Sequence, residues 1–287
     1  MDQGVEPTSA IETVHDRPWS RVLRVPTAEG DLFLKQEHPM QAYEIPLVVA
    51  LFERWPDRVP EVVAADTDRG WLLLRDGGAN IAETGAVDAF AHALRLYGEL
   101  QVAETAHVDE FLAMGLRDLR IPVVRDLYEP FFERDHGLAP EEVTRLLALA
   151  PKYRELSAQL EAFALPASIQ HDDLHQWNIF VRGDRVGIYD WGDSSVAFPL
   201  WSWLKAVRAP REYGIDPEPV LTAYLSAWTQ VAPEARLRKA LQLALPIGQF
   251  AYAVQIRRQY DVTEAHEEYA SYLPMNLRRL LAQLEAA

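Results

Sequence analysis

Apolar residues along this chain keep two different periods. In the first part they fall in short runs of strand character: Ile11 to His15, Arg21 to Val25, Leu32 to Lys35, Val62 to Ala64 and Trp71 to Leu74. Polar turns separate some of these runs, namely Asp16 to Ser20, Ala28-Glu29-Gly30 and Asp66 to Gly70, which predicts hairpins of a small sheet. One helical interval interrupts the series. Gln41 to Trp55 carries Ile45, Val48, Val49 and Phe52 at helical spacing, with one face to bury. The pattern changes at Arg75-Asp76-Gly77-Gly78, and from Val87 onward helical spacing dominates. Phe90, Leu94, Tyr97 and Leu100 make one face. Further helices are predicted over Phe111 to Leu119, Pro122 to Glu133, Pro140 to Leu149, Tyr153 to Phe163, Pro199 to Val207, Pro217 to Trp228, Ala235 to Val254 and Thr263 to Leu284. The expectation is an α+β chain: residues 1–74 mostly sheet plus one helix, 75–78 a link, and 79–287 mainly helical. No internal repeat, low-complexity tract or long linker appears.

One stretch of the helical part breaks its own rule. Ser168 to Trp191 reads SIQHDDLHQWNIFVRGDRVGIYDW. Ala167 to Gln170 is extended, and Ile179 to Val181 and Val186 to Ile188 are two strands around the turn Gly183-Asp184. His171, Asp173 and Asn178 then sit in a loop between strands, with Asp190 closing the hairpin near Asn178. The order H-x-D-x-x-x-x-N followed by a separate Asp suits phosphoryl transfer. Asp173 can accept or orient the proton of an attacking hydroxyl, while Asn178 and Asp190 offer oxygens to Mg²⁺ on nucleotide phosphates. A rival is metal-dependent hydrolysis built on His171, Asp172 and His175. Two His four apart share a metal on a helix face, and this stretch is not helical.

Composition narrows the choice. Hydrophobic residues at 49% of 287 are ordinary for a globular chain. No cysteine is present, so disulfides, thiolate metal sites and cysteine nucleophiles are excluded. The formal net charge of −15 argues against nucleic acid as a partner, and is permissive for a cationic small molecule. The start lacks the pattern of a signal peptide, and Leu243 to Val254 is broken by Pro246 and Gln249. A cytoplasmic protein with no membrane partner is therefore expected.

HDDLHQWN followed by YDW resembles the catalytic loop of the aminoglycoside phosphotransferase and choline-kinase-like family, usually written HGDLHPGN with a later DW or DF. Asp172 replaces the usual Gly, and Gln176-Trp177 replaces Pro-Gly; no catalytic position is lost. The resemblance covers nearly the whole chain and implies a two-lobed protein-kinase-like fold, hinged near Arg75 and Asp76, where backbone groups would hold the nucleotide base. It implies that Lys35, ending LFLK, meets nucleotide phosphates and that Glu44 fixes Lys35, with Glu53 a weaker partner. No Gly-rich phosphate loop exists; the turn Asp16 to Ser20 stands in its place, where Ser20 or the backbone amides near it are expected to contact phosphate. Ser202 occupies a position where the family often has an acid supporting the catalytic loop.

The implied activity is transfer from ATP or GTP, with Mg²⁺, to a hydroxyl of a polar natural product, an antibiotic first. Choline, homoserine or a sugar are alternative acceptors, and a nucleotide-binding pseudokinase is the alternative of another class. His171, His175, Asp172 and Asp193 are expected to support the site or meet the acceptor. Asp172 and Asp193, and less directly Asp261, Glu264, Glu267 and Glu268, suggest a cationic or polyhydroxylated acceptor.

Overall fold

The computed structural model describes residues 6–261 and 270–287, apart from the side chains of residues 259 and 260. Five antiparallel strands open the fold: β1 (Glu12–Arg17), β2 (Ser20–Thr27), β3 (Gly30–Glu37), β4 (Val62–Asp66) and β5 (Trp71–Arg75). They pair in the order β1-β2-β3-β5-β4, which puts β3 at the centre. The β2–β3 register closes at Thr27 opposite Gly30, where Gly30 adopts φ +108°, a value L side chains rarely take.

Between β3 and β4 lies α1 (Glu44–Arg54), burying Ile45, Leu47, Val48 and Leu51. It begins three residues later than the spacing suggests, because Pro39–Gln41 forms a separate 3₁₀ turn capped by His38. Pro46 is accommodated in the first helical turn, where no intrahelical N–H is needed.

The link Asp76-Gly77-Gly78 leads into β6 (Ala79–Asn80), which pairs with the later hairpin rather than with the first sheet. Then come α2 (Ile81–Thr84), α3 (Ala89–Glu104), α4 (Val108–Ala113), β7 (Arg117–Asp118), α5 (Ile121–Phe131), α6 (Pro140–Ala148) and α7 (Ala150–Glu161). The central stretch gives β8 (Ser168–Gln170), β9 (Ile179–Arg182), β10 (Arg185–Ile188) and β11 (Ser195–Ala197). Helices α8 (Trp203–Ala206), α9 (Arg208–Glu212), α10 (Pro217–Trp228), α11 (Glu234–Tyr260) and α12 (Tyr272–Ala286) complete the chain. Helices α3 and α10 approach closely at Gly98, where an added Cβ would lie 2.8 Å from Ala227 Cβ.

Three expectations change. The helix over Phe111 to Leu119 stops at Gly115, which turns left-handed at φ +99°, and Arg117–Asp118 becomes a strand beside β11. The segment from Pro199 divides into a 3₁₀ turn, Pro199–Ser202, and the short α8. The last helix is described from Tyr272 onward, so the expected start at Thr263 and the acids Glu264, Glu267 and Glu268 lie outside the described residues. Among the described residues no helix is long and apolar enough to cross a membrane.

Candidate active site

The site forms where β3 and α1 face the loop that follows β8. Antiparallel pairing of Ile179 with Ile188 folds the hairpin back, and Tyr189 N donates to Asn178 O at 3.1 Å. Asp190 is thereby carried to the side of Asn178. It leaves the strand with φ +61°, a conformation that Asp tolerates better than most residues.

Asp173 is held from three directions. His175 Nε2 lies 3.1 Å from its Oδ2, and Lys205 Nζ donates to Oδ1 at 3.3 Å. Asn178 Nδ2 donates to the Asp173 carbonyl at 3.0 Å and reaches Oδ2 at 3.4 Å. Burial pushes the Asp173 carboxyl up, but the His175 hydrogen bond and Lys205 outweigh it, and the group stays well below the usual carboxylate range. Asp173 is thus an ionised acceptor.

Lys35 is buried among three carboxylates. Its Nζ lies 2.6 Å from Glu44 Oε2, 2.7 Å from Asp190 Oδ1 and 3.0 Å from Glu37 Oε1. Burial alone would lower the ammonium's pKa, yet Asp190, Glu37 and Glu44 together hold it well above the ordinary value. Glu44 moves up as well, through burial and the neighbouring Glu37 and Asp190, against the pull of Lys35. One ammonium thus faces three acids at once. The second oxygen of Glu44 accepts from Trp191 N at 3.0 Å. This carboxylate therefore joins the sheet to the segment just after Asp190. Gly192 has to be glycine for the join to close: a Cβ would sit 2.7 Å from Glu44 Oε2.

Burial raises the Asp190 carboxyl, and Lys35 pulls it below its usual range; its side chain is 55% exposed, so its remaining oxygen faces solvent. Because the Asn178 amide nitrogen is committed to Asp173, its oxygen is the atom left to bind. An amide oxygen and an ionised carboxylate flanking adjacent strands are a hard-oxygen set of the kind Mg²⁺ takes, with phosphates and water filling its other positions. The donor set fits.

The other expected residues fall into distinct places. His171 is buried, donates from Nε2 to Tyr189 O at 2.8 Å, and is kept below its ordinary pKa by burial. Asp172 takes φ +60°, the conformation that explains a usual Gly, and accepts from Ser195 Oγ at 2.5 Å. Burial pushes its carboxyl up to about 7. Asp193 is ion-paired with Arg258 at 3.0 Å and accepts from Gln41 at 3.2 Å. Ser20 stands opposite Glu37 in the β2–β3 pair. The Arg75 side chain turns to Glu61 at 3.0 Å, and Asp76 Oδ1 accepts from Gly78 N at 2.9 Å; neither side chain joins the Lys35 cluster. Of the nearby tryptophans, Trp191, Trp201 and Trp203 are buried, whereas Trp177 is 55% exposed.

Five contributors went unforeseen: Glu37, Tyr97, Lys205, Tyr252 and Arg258. Tyr97 accepts from His171 N at 3.0 Å and lies 2.8 Å from Ser202 Oγ. Ser202 Oγ donates in turn to Gln170 at 2.5 Å. The support expected from an acid at position 202 thus arrives through a neutral hydroxyl chain.

The protein family described as phosphotransferase enzyme family matches residues 13–238. The chain belongs to this family. No curated protein matches it significantly in sequence. Among solved structures, macrolide 2′-phosphotransferase MphH from Brachybacterium faecium is 18% identical, TM-score 0.57, over 98% of this chain and 94% of that one. A GDP complex of an aminoglycoside 2′-phosphotransferase is 17% identical, TM-score 0.62, covering 97% and 92%. The choline kinase LicA from Streptococcus pneumoniae is 13% identical, TM-score 0.66, covering 100% and 96%. These likenesses establish a two-lobed kinase-like fold, and the family makes this phosphotransferase an enzyme.

Proposed function

We propose that the chain transfers the γ-phosphoryl group of ATP or GTP to a hydroxyl of a polar small molecule. The observation that carries this reading is the ionised Asp173, anchored by His175, Lys205 and Asn178 beside the Lys35–Asp190 contact. The acceptor oxygen bonds to the γ-phosphorus as the bond to the bridging oxygen breaks. The nucleoside diphosphate leaves with the electron pair, and the hydroxyl proton passes to Asp173. Phosphoryl transfer needs positioning more than a strong base, which suits a carboxylate of low basicity. Lys35, positioned by Glu44, meets the nucleotide phosphates. Mg²⁺, which neutralises phosphate charge when bound, would be held by Asn178 and Asp190.

His175 has both ring nitrogens engaged, by Asp173 and by Trp177 N, and His171 holds Tyr189 O through Nε2, which favours this reading over a phosphohydrolase that needs both histidines on one metal. Since Lys35, Asp173, Asn178 and Asp190 are all present, we favour an active enzyme over a pseudokinase. The family resemblance puts an antibiotic first among acceptors, ahead of choline, homoserine or a sugar. The test is nucleotide consumption with Mg²⁺ across hydroxylated antibiotics and metabolites. Asp173→Asn is expected to lower the acceptor-dependent rate by roughly 10²–10⁴-fold with nucleotide affinity retained. Turnover within a few-fold of the parent would remove Asp173 from the chemistry.

A further inference from the structure

Beside the catalytic loop a cleft of about 480 Å³, counting the solvent at its mouth, opens between α8, α9, α11 and α12. Lys205 and Tyr252 form its inner wall, and Lys205 Nζ reaches both Asp173 Oδ1 and Tyr252 OH, at 3.3 and 2.5 Å. A molecule seated there meets Lys205, which in turn contacts the group that would take its proton.

The charges around this cleft run against those of the chain. Overall the protein carries 43 acids to 28 lysines and arginines, yet among the described residues the lining holds Lys205, Arg208 and Arg279 against one carboxylate, Asp172. That carboxylate is turned to Ser195. Asp193, the other acid expected here, is neutralised by Arg258. Arg208 and Arg279 make no ion pair or hydrogen bond among the described residues. The contrast with Arg278 is direct, since that neighbour is clamped on Glu142 at 2.7 Å. Solvated surface arginines are common, but two lining one cleft, both unpaired in so acidic a chain, indicate a place kept for an anion.

We infer that the acceptor is a small hydroxylated acid, whose carboxylate, sulfate or phosphate monoester binds Arg208 and Arg279 while its hydroxyl faces Asp173. The inference rests on the phosphotransferase reading and reverses the cationic acceptor expected from sequence. Arg is suited to the task, since its planar fork meets two oxygens of such a group at once.

The experiment uses the full chain saturated with ADP and Mg²⁺, so that anions meet an occupied nucleotide site. Calorimetry compares inorganic sulfate with a matched sugar set: glucuronate, glucose 6-phosphate, glucose and glucosamine. Sulfate and at least one acidic sugar are expected to bind at least tenfold tighter than glucose and glucosamine. The stronger of the two acids tells carboxylate from phosphate. Arg208→Gln with Arg279→Gln should erase that preference, and Arg208→Glu with Arg279→Glu should turn it toward glucosamine, with ADP affinity unchanged in both. Equal binding of all probes, including no binding by any, overturns the proposal. So does a preference that survives the double substitution, or a loss of ADP affinity that assigns the arginines to nucleotide. Failure of the parent to bind ADP would count against the phosphotransferase reading instead.

Discussion

Asp172 shows how one residue can carry two costs at once. Its φ of +60° is a conformation glycine adopts freely, and its carboxyl lies partly buried against Ser195. Burial outweighs the Ser195 hydrogen bond and brings it up to about 7. An unfolded Asp titrates near 3.9, so between about pH 4 and 7 the folded protein binds more protons than the unfolded one. Stability therefore falls as pH rises through that window, and the cost is complete above it. Asp172→Asn keeps the tolerance for a left-handed backbone and a partner for Ser195 while removing the charge. The variant is expected to gain on the order of 1–2 kcal/mol more at pH 8 than at pH 5. Thermal unfolding of both proteins at the two pH values is the measurement. A gain equal at both would show that the carboxyl titrates normally.

Between elements, the decisive joint is the one that Glu44 makes from α1 to β3 and to the segment following Asp190. Removing Lys35 leaves Glu37 and Glu44 buried without their cation, a change that costs about 3–5 kcal/mol for a buried pair. In a Glu44→Gln background the cost of Lys35→Ala should shrink by more than 1 kcal/mol, because one of the stranded charges is gone. Urea unfolding of the four proteins closes the cycle, and additivity within about 0.5 kcal/mol would deny the coupling. The same joint marks where sequence reasoning works. Lys35 ends an apolar run and Glu44 lies in the first turns of a helical one, and the family resemblance implied their pairing, which the 2.6 Å contact matches. Glu37 was also within reach, two residues along the strand from Lys35 and therefore on its face. Lys205, Tyr252 and Arg258 were not, because they enter from helices whose packing is set by buried apolar faces and carries no fixed offset from the motif. The Gly115 stop in α4 was missed for another reason: apolar spacing continued through Leu116 and Leu119 while the backbone changed to strand.

For the whole molecule, net charge and local charge pull an acidic acceptor in opposite directions. The formal −15 of the chain repels it at long range, while Lys205, Arg208 and Arg279 attract it only once it reaches the cleft. Ionic strength separates the two, since the screening length shrinks from roughly 30 Å at 0.01 M to 8 Å at 0.15 M. Over that range the distant repulsion is removed first and contacts within a few Å are largely kept. At saturating Mg²⁺ and nucleotide, kcat/KM for an acidic acceptor is expected to hold or rise as salt increases. For an amine of the same skeleton the long-range field is attractive, so its kcat/KM should fall. The ratio of the two should therefore climb several-fold between 0.01 and 0.15 M salt, as read by nucleotide consumption on a matched acid and amine. A ratio that falls would mean the acid is drawn in by surface charge far from the cleft, and the positive lining would then have no part in choosing the acceptor.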